Sequence, residues 1–194
     1  MKWCIALFIF SLILGGIFFL ITRLFPLAES IDSYKGVAVY PNGKNYIQSH
    51  GRHYSFTGYY YGQKWQCVEF IKRFFYLAKN HSMPNVWGHA TDFFDPQIPH
   101  GEINPDRGMI QYQNGGNVAP EPDDLIVFQN LTHYGHVAII TEVTENTVSM
   151  IQQNVGKTTR VTLPLSLKEG TYWIGDENLQ ATGWLRVSLV PQAN

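Results

Sequence analysis

Residues 124–153 read DLIVFQNLTHYGHVAIITEVTENTVSMIQQ, and this stretch decides the fold class. Three runs within it are rich in β-branched and aromatic residues, which favour strands. They predict strands at Asp124–Gln129, His136–Thr144 and Thr147–Gln153. Glu145 and Asn146 separate the last two runs and predict a tight hairpin turn. Strands joined by such short turns are antiparallel, so the stretch predicts an antiparallel sheet.

Upstream of this sheet, residues Gln66–Lys79 read QCVEFIKRFFYLAK and predict an amphipathic helix. Its apolar residues recur at helical spacing, at Val68, Ile71, Phe75 and Ala78. Further strands are expected at Gly36–Tyr40, Thr158–Leu163 and Trp184–Val190. The rest of 29–64 and all of 84–121 carry many turn formers and predict irregular structure. One helix followed by an antiparallel sheet is an α+β pattern rather than an alternating βαβ pattern.

The N-terminus carries an uncharged apolar run, WCIALFIFSLILGGIFFLIT, at residues 3–22. Twenty helical residues span about 30 Å, the thickness of a bilayer's hydrocarbon core. We therefore expect residues 1–28 to be a single-pass membrane anchor, or alternatively a cleaved signal segment, followed by one domain at 29–194. Lys2 precedes the run, and the positive-inside rule then predicts a domain that faces the periplasm or the cell exterior.

Composition excludes several classes of function. The 14 basic and 15 acidic residues give a net charge of −1, without the basic block that a nucleic-acid partner requires. The two cysteines are Cys4, inside the apolar run, and Cys67, so neither a disulfide scaffold nor a cysteine zinc site is expected. The histidine pairs at 50–53 and 133–136 lack a third ligand, and we expect no metal.

Four polar residues are candidates for catalysis. Cys67 lies in the first turn of the predicted helix, where backbone N–H groups lower a thiol's pKa and can hold an oxyanion. The alternative is a small buried apolar residue. His136 opens a predicted strand and is the candidate base. The hairpin brings Gln152 or Asn154 near His136, as candidate partners for its ring or simply as polar residues that close a strand.

Several segments, in chain order, resemble the CHAP amidase/peptidase family. They are GQKWQCVEFIKR at 62–73, WGHATDFF at 87–94, PEPDDLIVF at 120–128, GHVAIITEV at 135–143 and QQN at 152–154. Around Cys67 the chain resembles the amidase half of bifunctional glutathionylspermidine synthetase/amidases. The resemblance covers roughly residues 35–190. It implies a papain-like (NlpC/P60-type) cysteine amidase fold, with Cys67 as nucleophile, His136 as base, and no cofactor.

Two positions depart from the family pattern. The family has a Glu-Gln-Asn triplet whose glutamate orients the histidine, and Gln152 stands in that place. A glutamine can accept the imidazole N–H bond but brings no negative charge, and Asn154, which matches the family's asparagine, is expected to share the orienting task. Asp123 stands where the family usually has glycine.

These observations predict a membrane-anchored, thiol-dependent amide hydrolase that acts on a peptidoglycan peptide. One alternative is a glutathionylspermidine-type amidase that releases a polyamine. A second alternative, raised by Gln152, is a weakly active or non-catalytic CHAP binding module. The ATP-dependent synthetase half is not represented in the 194 residues, so no ligase activity is expected.

Overall fold

A computed structural model describes residues 28–156 and 158–188 of the chain. The described strands, in chain order, are β1 (Asp32–Tyr34), β2 (Val37–Val39), β3 (Arg52–Tyr54), β4 (Tyr60–Gln63), β5 (Ile103–Asn104), β6 (Met109–Gln113), β7 (Leu125–Phe128), β8 (His136–Val143), β9 (Thr147–Ile151), β10 (Arg160–Lys168), β11 (Thr171–Ile174) and β12 (Gly183–Arg186). The α-helix α1 spans Cys67–Lys79, and a short 3₁₀ turn spans Ala90–Phe93.

Eight strands form one antiparallel sheet in the order β11-β10-β9-β8-β7-β12-β6-β5. Its centre is the predicted run of strands: β7 pairs with β8, and β8 pairs with β9 around the Glu145–Asn146 turn. Two small hairpins, β1-β2 and β3-β4, lie outside this sheet. The hairpin between β8 and β9 is therefore as predicted, and it returns the end of β9 to the start of β8.

Helix α1 packs against one face of the sheet because its apolar stripe matches the side chains that β8 presents there. Successive strand residues point to opposite faces. Val137 and Ile139 accordingly belong to the core cluster that contains Phe70 and Phe74 of α1, whereas Ile140 belongs to a second cluster on the other face. Each fully buried side chain of this kind stabilises the fold by about 1.5–3 kcal/mol. The packing fixes the start of α1 beside the start of β8.

The α+β arrangement agrees with the expectation from sequence, and a cysteine-bearing helix on an antiparallel sheet is what the CHAP resemblance implies. Residues 84–121, however, are not irregular throughout: β6 lies inside the sheet, paired with β12 on one side and β5 on the other. Four further strands, β1, β3, β4 and β11, were not expected from the sequence. All of these strands have five residues or fewer, too short for alternation to separate them from the surrounding turns.

The predicted membrane anchor at residues 3–22 lies outside the described residues. Across 28–156 and 158–188, no helix is long and apolar enough to cross a bilayer.

Asp123 has a left-handed backbone conformation, with φ of +77°. Glycine adopts this conformation without strain, which explains why glycine suits the position. Aspartate tolerates it better than most residues. Its carboxylate accepts hydrogen bonds from Lys35, Lys79 and Tyr34, which tie the β1-β2 hairpin and the end of α1 to the β7 side of the sheet.

Candidate active site

Cys67 is the first residue of α1, and it lies in a cleft of about 970 Å³. The preceding Gln66 makes no side-chain cap, so the helix does not use this side chain to satisfy its first N–H groups. Burial raises the pKa of the Cys67 thiol to about 11, while hydrogen bonds from the backbone N–H groups of Val137, Val68 and Cys67 itself act in the opposite direction. The sulfur therefore lies where helix-terminal N–H groups meet the first residues of β8.

His136, the first residue of β8, lines the same cleft and is buried. Its Nε2 is 2.9 Å from Oε1 of Gln152, which directly follows β9. The amide of Gln152 has a defined orientation because its Nε2 donates to the Thr158 carbonyl, 3.2 Å away. Oε1 must then accept a proton from the ring, so Nε2 of His136 carries the proton and Nδ1 keeps a free lone pair.

The cysteine and the histidine are both neutral near pH 7. Burial lowers the pKa of His136 to about 4, and the bond to Gln152 only partly opposes this shift. Since Gln152 is uncharged, it orients the ring but cannot stabilise an imidazolium as a carboxylate would. The resting site therefore holds a thiol and a neutral imidazole rather than a thiolate–imidazolium pair.

Gln153, the residue after Gln152, connects the end of β9 to the first turn of α1. Gln153 donates to the Gln66 carbonyl, 3.0 Å away, and to the Glu69 carboxylate, 2.8 Å away, while its Oε1 accepts from the Tyr40 N–H. Glu69 is fully buried and also pairs with Arg73 and His53. Sequence reasoning missed both Gln153 and Glu69, because a carboxylate in the first turn of a helix is usually solvated and its partner is 84 residues away.

Asn154 also lines the cleft, but its hydrogen bonds lead away from His136. It has a left-handed conformation, with φ of +70°. Its Nδ2 donates to the Tyr46 carbonyl and to Oε1 of Gln66, and its Oδ1 accepts from Asn42, each at 2.7 Å. Among the described contacts, the orienting bond to His136 comes from Gln152, and Asn154 instead holds the wall of the cleft.

Two walls enclose the cleft. The segment 41–49 forms one wall and presents the exposed side chains of Tyr46 and Ile47. Residues 86–90 and 131–135 form the other, with the exposed side chains of Trp87, Leu131 and Tyr134. Within the described ranges, no three His, Cys, Asp or Glu side chains are grouped as a metal site would require. The open, largely apolar cleft above Cys67 can hold an extended substrate with its carbonyl at the helix start.

Comparison with known proteins agrees with this geometry. The CHAP domain model matches residues 58–154, half of the chain, and the match contains Cys67, His136, Gln152 and Asn154. The bifunctional glutathionylspermidine synthetase/amidase of Escherichia coli (strain K12) is 30% identical over an alignment of 139 residues, and the match covers 65% of this chain and 22% of that protein. The trypanothione synthetase of Crithidia fasciculata is 33% identical over 95 residues, 48% of this chain and 15% of that protein.

The chain thus spans about a fifth or less of the length of these curated relatives. CHAP domains are cysteine-dependent amidases and peptidases. By the match over residues 58–154, this chain belongs to the CHAP domain family.

Proposed function

We propose that this chain is a thiol-dependent amide hydrolase with Cys67 as nucleophile, His136 as general base and acid, and Gln152 as the residue that orients the imidazole. One observation carries the proposal: the His136–Gln152 bond leaves the Nδ1 lone pair of the ring free at the cleft that Cys67 lines. A base whose tautomer is held in this way is what a cysteine nucleophile requires.

The proposed reaction has two acyl-transfer steps. Nδ1 of His136 takes the thiol proton as the sulfur of Cys67 attacks the amide carbonyl, and the first-turn N–H groups of α1 hold the oxyanion. The C–N bond breaks as the imidazolium returns the proton to the leaving amine, which leaves a thioester on Cys67. Water, deprotonated by His136, then cleaves the thioester to a carboxylic acid and regenerates the thiol. The reaction proposed is hydrolysis, not ligation.

The proposed substrate is a peptidoglycan stem peptide. The support for it is the apolar run at 3–22, which would hold a domain at 29–194 on a membrane, facing the cell wall. A fusion of a compartment-sensitive reporter after residue 194 tests this topology. Reporter activity confined to the cytoplasm would argue against a wall substrate.

Glutathionylspermidine is the second candidate substrate. Its support is the 30% identity to a protein named as a glutathionylspermidine synthetase/amidase. The two substrates carry different leaving groups, so their products separate the candidates directly.

The test is product release by the purified full-length chain, offered peptidoglycan and glutathionylspermidine in parallel, with new amines identified by mass spectrometry. Cys67→Ala is expected to abolish release, whereas Cys4→Ala, which removes the chain's other thiol, should retain it. Release that survives Cys67→Ala would refute the thiol mechanism. If neither substrate is cut, Gln152→Glu is assayed next, and activity gained only in this variant would identify a hydrolase limited by its neutral orienting residue.

A further inference from the structure

The cleft has an uneven distribution of charge. Among the described residues that line it, two are lysines, Lys44 and Lys72, and none is an aspartate or glutamate. The chain as a whole has a net charge of −1, so this excess of positive charge is local to the cleft rather than a property of the protein surface. A cleft with one sign of charge and low-dielectric walls concentrates ligands of the opposite sign.

The charge of Lys72 is less screened by solvent than that of Lys44, because Lys72 is buried. It lies on α1 five residues after Cys67 and is 1% exposed. Its Nζ donates to the Val86 carbonyl at 2.6 Å and lies 4.8 Å from the centre of the Tyr60 ring. No carboxylate in the described part of the chain forms an ion pair with it.

The carboxylate on the same helix, Glu69, is not paired with Lys72 and offsets its charge only in part. Glu69 is already bound by Arg73, His53 and Gln153, and Arg73 alone balances its charge. Burial and the nearby Arg107 lower the pKa of Lys72 to about 8, with the charge of Glu69 opposing this shift, so the ammonium is still mostly protonated at pH 7. Because the ammonium is buried, solvent screens its charge towards the cleft less than it would screen an exposed lysine.

We infer that the cleft selects an acyl donor that carries a carboxylate and discriminates against a cationic one, with Lys72 as the specificity-determining residue. The inference rests on the proposed function, because it assigns a substrate class to that site. A stem peptide and a glutathionyl amide both offer such a carboxylate in the acyl part. The inferred class therefore concerns the acyl half of the substrate and disfavours polyamine recognition inside the cleft.

The test measures the field at Cys67 without requiring hydrolysis. In a full-length Cys4→Ala background at pH 7, Cys67 is modified by two methanethiosulfonates of similar size, one with an anionic sulfonatoethyl group and one with a cationic trimethylammonioethyl group. The ratio of the two rates, divided by the ratio for free cysteine, is expected to favour the anionic reagent by about tenfold or more. A ratio of one or below would overturn the inference, whatever the amidase assay shows.

Substitutions of Lys72 test whether this lysine produces the positive electrostatic potential at Cys67. Lys72→Met should bring the ratio to within about twofold of free cysteine, and Lys72→Arg, which keeps the charge, should retain it. The matched control is Lys168→Met, which removes an exposed lysine of β10 outside the cleft and should change nothing. An unchanged ratio in Lys72→Met would refute the role of Lys72.

A second measurement does not depend on the folding of the Lys72 variants. Full-length Cys67→Ala protein is titrated calorimetrically with stem-peptide and glutathionyl amides, each with a free carboxylate and with that group converted to a carboxamide. In at least one of the two pairs, the ligand with the free carboxylate is expected to bind about tenfold more tightly than its carboxamide. The pair that shows this difference identifies which kind of acyl group the cleft recognises. Equal binding in both pairs would contradict the inference.

Discussion

Replacing Gln152 by glutamate changes the charge beside His136 and keeps the shape of the side chain. In the structure, Oε1 of Gln152 accepts the Nε2 proton of the ring at 2.9 Å, with His136 only 6% exposed. A carboxylate in the same place stabilises the imidazolium form, so the pKa of His136 is expected to rise from about 4. An opposite charge at hydrogen-bond distance raises such a pKa by about 1–3 units.

The size of the effect on Cys67 follows from proton transfer within the pair. The fraction of thiolate–imidazolium depends on the difference between the two pKa values. A rise of about 1–3 units in the pKa of His136 therefore increases that fraction roughly 10- to 1000-fold, which corresponds to about 1.4–4 kcal/mol. The ion pair remains a minor form, because the pKa values of Cys67 and His136, about 11 and about 4, lie far apart. The substitution also loses the bond from Gln152 Nε2 to the Thr158 carbonyl, and we expect this loss to cost about 1–3 kcal/mol of folding stability.

The assay is an NMR titration of the His136 ring between pH 3 and 9, in the parent and in the Gln152→Glu variant. The pKa of His136 in the variant is expected to lie about 1–3 units above that in the parent, because the new carboxylate stabilises the imidazolium. Gln97→Glu adds the same charge at an exposed position and should leave the pKa of His136 unchanged. An unchanged pKa of His136 in folded Gln152→Glu protein would refute the assignment of Gln152 as the partner of His136.

Three further substitutions test the contacts around the site. Glu69→Gln leaves Arg73 buried without its carboxylate, and it should lower the free energy of unfolding by about 3–5 kcal/mol in urea titrations. A loss below about 1 kcal/mol would contradict a buried ion pair between Glu69 and Arg73. Hydrogen bonds from His53 and Arg73 lower the pKa of Glu69 despite its burial, so stability present at neutral pH should fall as the pH drops below about 4.3. This slope should be shallower in Glu69→Gln, where Asp32 and Asp123 still contribute to it. Asp123→Ala and Asp123→Gly remove the same ion pairs at a left-handed position, but the alanine variant should be about 1 kcal/mol less stable to unfolding in the same titrations. Equal stabilities of the two variants would exclude backbone strain at this position. Asn154→Ala frees the Tyr46 carbonyl, and it should raise KM several-fold while kcat stays within about threefold, whereas an equal loss of kcat would indicate a direct role at His136.

The sequence predicted the parts of the fold that are long and periodic. Helix α1 and the β8-β9 hairpin each have a clear hydrophobic period, and their boundaries differ from the prediction by one or two residues. Strand β6 was missed because it is only five residues long and is held by β12, which lies some 70 residues later in the chain. Pairing at that distance leaves no local pattern, since the burial of each strand depends on the other.

The candidate site likewise contains residues that local sequence features predict and residues whose roles depend on the folded structure. Cys67 at a helix start and His136 at a strand start are local features, so sequence reasoning reached them. The roles of Glu69 and Lys72 depend on what surrounds α1 after folding. Glu69 is buried because Gln153 and Arg73 bind its carboxylate, and Lys72 is buried under Tyr60 and Val86. On the sequence alone both look like ordinary polar residues of an amphipathic helix.

The three residues after β9 explain how a glutamine can stand at the orienting position without disturbing the site. Gln152 reaches His136, Gln153 reaches the first turn of α1, and Asn154 reaches the 41–49 wall. Extended backbone sends neighbouring side chains in opposite directions, and the left-handed turn at Asn154 redirects the third. Placement of the helix and the wall thus depends on Gln153 and Asn154, while the charge state of the histidine depends on Gln152. Geometry and charge are therefore separable here, which is why Gln152→Glu is expected to raise the pKa of His136 while the helix and the wall keep their positions.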